Sequence, residues 1–414
     1  MFYVLIALFI YRLGTHIYLP AIDLKIVSQI NSISQRSLFS IIAGGSQASI
    51  FVMGVGPYIT ASIILQLLTV AIPKLEQIKK DGEDGRHKIE QYTRVTAILL
   101  SFIQGAGYIY GIRYFFVYKN LLVYTMSTFA IVTGSIFVMW LGEFLTEFGI
   151  GNGSSFIIFA NILSGLPDAV NSMYRKLDNK LTYDLSKIFS KQNFTNVLKV
   201  FVLLVLFKLI IMFVVWIQDG ERRIPVQYSK KKNLQTSVTL QNSFIPIKVN
   251  IAGVMSIIFS ISLLQLPTMI KNFVNDKNIN KKLDLIINFL SITNPWGTLI
   301  YIFLIFCFTF FYTSFTINPI EMAENLKKSS GVIPGIRPGK PTAEYIQNTI
   351  DKLSWIGAFF YSIIALLPVI LEWIFKFKIG FGGTTLLIVT GVALEIIKQL
   401  ESLSLIRHYK GFLN

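Results

Sequence analysis

The chain has 414 residues, of which 53% are hydrophobic and only 14% charged, and its mean hydropathy is +0.59. That balance belongs to a polytopic membrane protein rather than a soluble one. The formal net charge is +16, and there is one cysteine and three scattered histidines, so an intrachain disulfide is excluded and no histidine metal site is suggested.

The N-terminus is apolar from Phe2, without a basic leader or a small-residue cleavage site, and predicts a retained first helix over residues 2–19. Arg12 and His16 lie within it and are costly in lipid, so they should face protein or snorkel. Pro20 ends this span, and residues 21–36 are polar. The stretch GGSQASIFVMGVGPYITASIILQLLTVAI, residues 44–72, then carries no formal charge. Gly54, Gly56 and Pro57 interrupt it, and Pro57 has no N–H to donate to a helix ladder. The part after Pro57 spans only about 22 Å at ~1.5 Å per residue, short of the ~30 Å hydrocarbon core. Irregular backbone at that depth is tolerated only inside protein or beside a water-filled cavity, so this broken span predicts a pathway.

Residues 74–94, KLEQIKKDGEDGRHKIEQYTR, read as a charged loop turning at Asp84-Gly85. Further spans are predicted over 95–112, 122–145 and 154–166, the last stopping at Pro167. The polar stretch from Asp168 separates an N-terminal half, 1–170, from a C-terminal half, 200–414, with a hinge over 171–199. Span six, 200–217, holds Lys208 at its middle, where enough apolar residues flank it for insertion. A basic loop follows with Arg222, Arg223 and Lys230 to Lys232, and β-prone Val226-Gln-Tyr and Val238-Thr-Leu predict a small hairpin. Spans seven and eight, 249–270 and 296–317, flank a Lys/Asn/Asp-rich linker. A second loop, 318–345, precedes spans nine and ten, 350–374 and 384–405.

Ten spans place both termini on one side. The loops 74–94, 222–248 and 327–340 and the basic tail are expected on the cytoplasmic or stromal side, although the opposite side also carries lysines. Basic loops suit anionic lipid head groups, ribosomal RNA or an acidic partner. No catalytic constellation or cofactor motif appears. The nearest approach to a P-loop, Gly335-Ile-Arg-Pro-Gly339-Lys340-Pro341, is one residue short and has Pro341 where a magnesium-binding hydroxyl belongs.

Five stretches together resemble the SecY-type protein translocase subunit: ASIFVMGVGPYITASIILQ at 48–66, WLGEFLTEFGIGNGSSFIIFAN at 140–161, PIKVNIAGVMSII at 246–258, NPIEMAENLKKSSGVIPGIRPGKPTAEY at 318–345 and GGTTLLI at 382–388. They occur in family order and cover nearly the whole chain. The resemblance implies an all-α polytopic membrane protein with about ten transmembrane helices. These form two pseudo-symmetric five-helix halves around a central pore, with a seam that opens to lipid. It places a pore ring on Val55, Ile59, Ile158, Ile258 and Ile388. It places a plug on residues 37–45, including Ser37, Ile41, Gly44 and Gly45, and the seam between 60–67 and 255–264. An apolar ring can gate by dewetting.

The partners so implied are a SecE-type small membrane subunit, a SecA-type ATPase or a ribosome, signal-sequence-bearing polypeptides and membrane lipid. Docking is expected at Arg222, Arg223, Lys327, Lys328, Arg337 and Lys340. No enzymatic activity and no cofactor are implied. Ser256 departs from the proline common in relatives. The trimmed N-terminus and a chain rich in Ile, Phe, Asn and Lys resemble a plastid-encoded version in the thylakoid membrane; the inner membrane of an A+T-rich bacterium is the alternative. A secondary transporter for a small solute is the rival function, which would need mid-membrane carboxylates. Glu395 is the main one found within a span.

Overall fold

The computed structural model describes residues 2–20, 22, 49–149, 151–178, 205, 208–228, 243–271, 277–292, 294–375 and 388–401. In chain order they form α1 (Phe2–Gly14), α2 (Gly56–Ala71), α3 (Pro73–Lys80), α4 (Glu83–Gly111), α5 (Leu121–Phe148) and α6 (Gly153–Asp178). Next come α7 (Lys208–Gln218), β1 (Glu221–Tyr228), β2 (Ser243–Lys248), α8 (Met255–Lys271) and α9 (Lys277–Leu290). The remainder are α10 (Pro295–Thr316), α11 (Pro319–Lys328), β3 (Gly331–Val332), α12 (Lys340–Phe375) and a helix over 388–401, α13.

Three described helices are long and apolar enough to cross a bilayer: Leu121–Phe148, Pro295–Lys328 and Lys340–Leu367. Gly56–Ala71 and Pro73–Lys79 together make a fourth, bent by 106° at their junction. Pro57 sits in the first turn of α2, where a missing N–H costs nothing, and Pro73 in the first turn of α3. The expected break at Gly54–Pro57 is therefore the start of a helix, and a second break follows at Ile72.

Three local expectations are corrected. The charged stretch 74–94 is helical, in α3 and the first turns of α4, and turns at Asp81-Gly82, where Gly82 has φ +77°. Gly85 is helical instead; a Cβ there would stand 1.7 Å from the Ile78 carbonyl oxygen. Helix α6 does not stop at Pro167 but carries it inside and runs to Asp178, with the loss of one ladder bond. The linker after span seven contains α9, an amphipathic helix tied to α8 by the Lys271–Asp284 ion pair.

The chain divides into two compact units that are not contiguous in sequence. The first comprises Met1–Lys180, Ile261–Gly297 and Lys378–Asn414. Its main apolar cluster joins Val4, Ala7 and Tyr11 of α1 to Phe51, Val55, Val138, Leu141, Leu145 and Ile157. A second cluster gathers Leu19, Met53, Ile109, Phe116 and Ile131. Small residues bring helices close: Ala61 and Ala97, with Met139 filling between them, pack α2, α4 and α5 together.

The second unit comprises Leu181–Ser260 and Thr298–Phe377. Its sheet has the strand order β2-β1-β3 and is antiparallel throughout. Glu221 pairs with Lys248 and Val226 with Ser243, while Gln227 pairs with Val332 and Tyr228 with Gly331. The hairpin is thus present, but its second strand is 243–248; residues 238–240 lie outside the described set. On β1 the alternation Ile224, Val226 faces a core completed by Ile247, Leu326, Ile333, Ile346, Ile350 and Leu353. Burying these aliphatic side chains is what holds the two basic loops to the foot of α12.

Candidate functional site: a broken span and a basic docking sheet

The first candidate site is the unwound segment ahead of α2. Residues 49–55 form successive turns, with Val52 N donating to Ser49 O at 3.2 Å, Gly54 N to Phe51 O at 3.0 Å and Gly56 N to Met53 O at 3.0 Å. Gly54 has φ +49°, a conformation glycine adopts without a Cβ penalty. The backbone polar groups that a helix would satisfy internally find partners in the protein. Ile50 N donates to Ile17 O at 3.0 Å, and Ser135 Oγ donates to Gly54 O at 3.3 Å. Thr60 Oγ1 donates to Gly56 O at 2.7 Å and accepts a long 3.5 Å bond from Gln104 Nε2.

Val55 follows directly and is only 1% exposed, packed in the cluster of α1, α5 and α6; Ile59, partly buried, packs against the same cluster. Ile158 and Ile388 are also buried in the first unit, at 3% and 2% exposure, on α6 and α13. Ile258 is buried in the second unit, on α8. The structure thus brings Val55 and Ile59 into one cluster and shows all five residues expected to form the ring as apolar side chains wholly or partly removed from water. Ser256, two residues before Ile258, is fully buried and lies in the first turn of α8, which carries Pro267 farther along. Ser37, Ile41, Gly44 and Gly45 lie outside the described residues.

The second candidate site is the basic face of the second unit. Asn318 caps α11, its Oδ1 accepting from Ile320 N at 3.2 Å and Glu321 N at 3.5 Å, and Glu321 lies in the first turn. Lys327 and Lys328 occupy the last turn, where cations suit the helix dipole. Gly335 and Gly339 have φ +81° and +104°, and between them the chain turns back so that Thr342 Oγ1 donates to Arg337 O at 2.9 Å. Arg337 is exposed at this turn, and its guanidinium has no hydrogen bond or ion pair among the described residues.

The two strand arginines differ. Arg223 Nε donates to Glu221 Oε1 at 2.7 Å, and its guanidinium lies 4.8 Å above the Phe244 ring. Arg222, one residue earlier, is on the other face of β1 with Ile224 and Val226, and is exposed at the strand's start. Lys340 opens α12 and is exposed. The six expected docking residues therefore lie on one subdomain, because a two-residue strand from one loop pairs with the hairpin of the other. Sequence reasoning missed that pairing: Gly331–Val332 is too short to show an alternating pattern. It also missed Ser135; Gly134-Ser135 is one of several small or polar sites in that span, beside Thr125, Ser127, Thr128 and Thr133, and nothing in the sequence singles it out.

Comparison with known proteins bears on both sites. The SecY family model matches residues 49–397. The protein translocase subunit SecY of Halalkalibacterium halodurans is 38% identical over 424 residues, covering 99% of this chain and 95% of that relative. The same subunit of Escherichia coli (strain K12) is 37% identical over 423 residues, covering 99% and 92%. Among solved structures, "The structure of a protein conducting channel" superposes with a TM-score of 0.64 at 17% identity, covering 97% of this chain and 91% of that one. Sec61 in the canine ribosome-channel complex from the endoplasmic reticulum superposes with a TM-score of 0.61, also at 17% identity, with the same coverage. The fold is that of these channels, and this chain belongs to the SecY family.

Proposed function

We propose that the chain is the protein-conducting subunit of a Sec translocase, an integral membrane channel that passes unfolded polypeptides and releases apolar segments sideways into lipid. The observation that carries this reading is the unwound, internally satisfied backbone leading into Val55 and Ile59. Such backbone at membrane depth serves a path through the protein. Apolar branched side chains at that path exclude water and ions, yet hold no strong donor or acceptor that would retain a passing peptide. The channel itself performs no covalent step.

The ring comprises Val55, Ile59, Ile158, Ile258 and Ile388, and residues 37–45 act as its plug. The seam lies between 60–67 of α2 and 255–264 of α8. The N-terminal half, 1–170, and the C-terminal half, 200–414, move about the hinge 171–199. A SecE-type helix clamps the halves. A SecA-type ATPase or a ribosome docks at Arg222, Arg223, Lys327, Lys328, Arg337 and Lys340. Two of the structural relatives are channels in complex with ribosomes, which supports the ribosome as a partner. The compositional bias favours a plastid thylakoid membrane over a bacterial inner membrane. The channel reading is tested by photo-crosslinking: a stalled, signal-bearing chain carrying a photoreactive residue should crosslink to this protein at the ring positions. Crosslinks confined to its outer, lipid-facing helices would refute a path through the interior.

A further inference from the structure

The seat of the unwound segment is unusual in its closeness to α5. At Gly134 the helix backbone passes so near residue 50 that a Cβ there would stand 2.5 Å from the Ile50 carbonyl oxygen and 2.7 Å from Ile50 Cγ2. One residue on, Ser135 is 3% exposed; its Oγ bonds the Gly54 carbonyl at 3.3 Å and shares a second 3.3 Å contact with Ser101 Oγ. Ser101, on α4, directs its one hydroxyl proton to Ala97 O at 2.7 Å within that helix, so its approach to Ser135 is a packing contact between α4 and α5. Gly54 is the residue before Val55, and Val55 is the N-cap residue of α2. A bare spot and a hydroxyl on one helix therefore grip the segment at both ends, Ile50 and Gly54.

Helix α5 is itself firmly placed. Val138, Leu141 and Leu145 pack in the cluster that holds Val55, and Glu143 is bonded to Arg94 Nε at 2.7 Å. A fixed helix gripping an irregular segment sets that segment's depth. If the hydroxyl is lost, the buried Gly54 carbonyl loses a donor where water does not reach, and other placements of the segment compete.

We propose that Gly134 and Ser135 are positioning residues for the constriction: they hold residues 50–54 at one depth and so keep the Val55 side chain seated. This rests on Val55 belonging to the constriction, as argued above. The seat is a property of the resting state, and loosening it populates states in which Val55 meets water.

The test uses the full chain with its small membrane subunit, reconstituted in vesicles, in a Cys307→Ser background. Val55→Cys reports the seat through its rate of reaction with a charged, water-borne methanethiosulfonate. A buried thiol reacts only from the open minority, so losing a modest buried hydrogen bond should raise the rate about tenfold. Ser135→Ala is expected to do this, Gly134→Ala to do more, and Ser135→Thr, which keeps a hydroxyl, to return the slow rate. Ala7→Cys, in the same apolar cluster but on α1, should stay slow throughout. Unchanged labelling of Val55→Cys in both alanine variants overturns the proposal, and so does an equal rise at Ala7→Cys, which would mean general loosening. Resting ion conductance should rise with the labelling. Labelling without leak would separate the seat from the constriction and overturn its assigned role. The crosslink of the parent protein to a stalled chain tests the channel reading independently.

Discussion

Reversing the charge at Arg337 should stop motor-driven transport while leaving the protein folded. The guanidinium is exposed and has no hydrogen bond or ion pair among the described residues, so Arg337→Glu removes no interaction among them. Its cost to the fold should stay within about 0.5 kcal/mol. The backbone it stands on is well defined: Thr342 bonds its carbonyl, and Gly335 and Gly339 turn the chain on either side. A preorganised arginine buried by a partner costs about 2–5 kcal/mol when truncated. At about 1.4 kcal/mol per tenfold, that is a loss of roughly thirtyfold to several thousandfold in docking affinity, and charge reversal adds repulsion. Arg223, also in the proposed docking set, gives a graded comparison. Its charge is already engaged by Glu221 and Phe244, so Arg223→Ala should weaken the sheet by about 1 kcal/mol and reduce transport far less. The assay is ATP-driven preprotein transport into proteoliposomes with a SecA-type ATPase. Protein level and assembly with the small subunit are checked in parallel. Arg337→Lys should be intermediate, because an ammonium keeps the charge but not the planar fork. Transport at the parental rate with Arg337→Glu would refute the reasoning and make the loop a spacer.

Replacing Ile59, Ile158 and Ile388 together with Ser should raise the resting ion leak in planar bilayers, since polar side chains let water wet the constriction; an unchanged conductance would remove them from the gate. Ile224→Ala should empty part of the core under β1, where Ile224 is 1% exposed, at a cost of about 2–5 kcal/mol. Hydrogen exchange at Val332 should then accelerate, whereas Phe244→Ala, on the exposed face, should leave it near the parental rate.

How far the fold was legible depended on how each element is encoded. Long apolar runs gave α5 and α10 nearly to their ends and α12 at its C-terminal end, because a membrane span needs only length and hydropathy; the first ten residues of α12, polar and outside that run, were read as loop and linker. Pro57 marked the broken span for a local reason, a missing N–H. The same rule misled at Pro167, where the helix absorbs the loss of one bond and continues. Two Asp-Gly pairs stand three residues apart in the charged stretch, and local propensity does not choose between them. The packing of α3 against the start of α4 does, by placing the Ile78 carbonyl where Gly85 has no Cβ. The ring and docking residues came from resemblance. The grouping of the docking residues on one subdomain depends on a pairing between segments about a hundred residues apart, which no local pattern carries.

Helix α12 has 36 residues, about 54 Å at ~1.5 Å per residue, while a hydrocarbon core is about 30 Å thick. It begins three residues beyond Arg337. Ile346, Ile350 and Leu353 cement its first turns to the sheet, and Ala358, Tyr361 and Ile364 are buried farther along the same unbroken ladder. Beyond its first turn no proline interrupts the ladder until Pro368, so the stretch from the exposed end to Leu367 is stiff along its axis, and the first weak point lies at Pro368, where one bond is missing. A partner docked on the loop, as proposed above, would therefore hold the handle of a strut that enters the bilayer, and thrust or torque delivered there would arrive as displacement of the span itself.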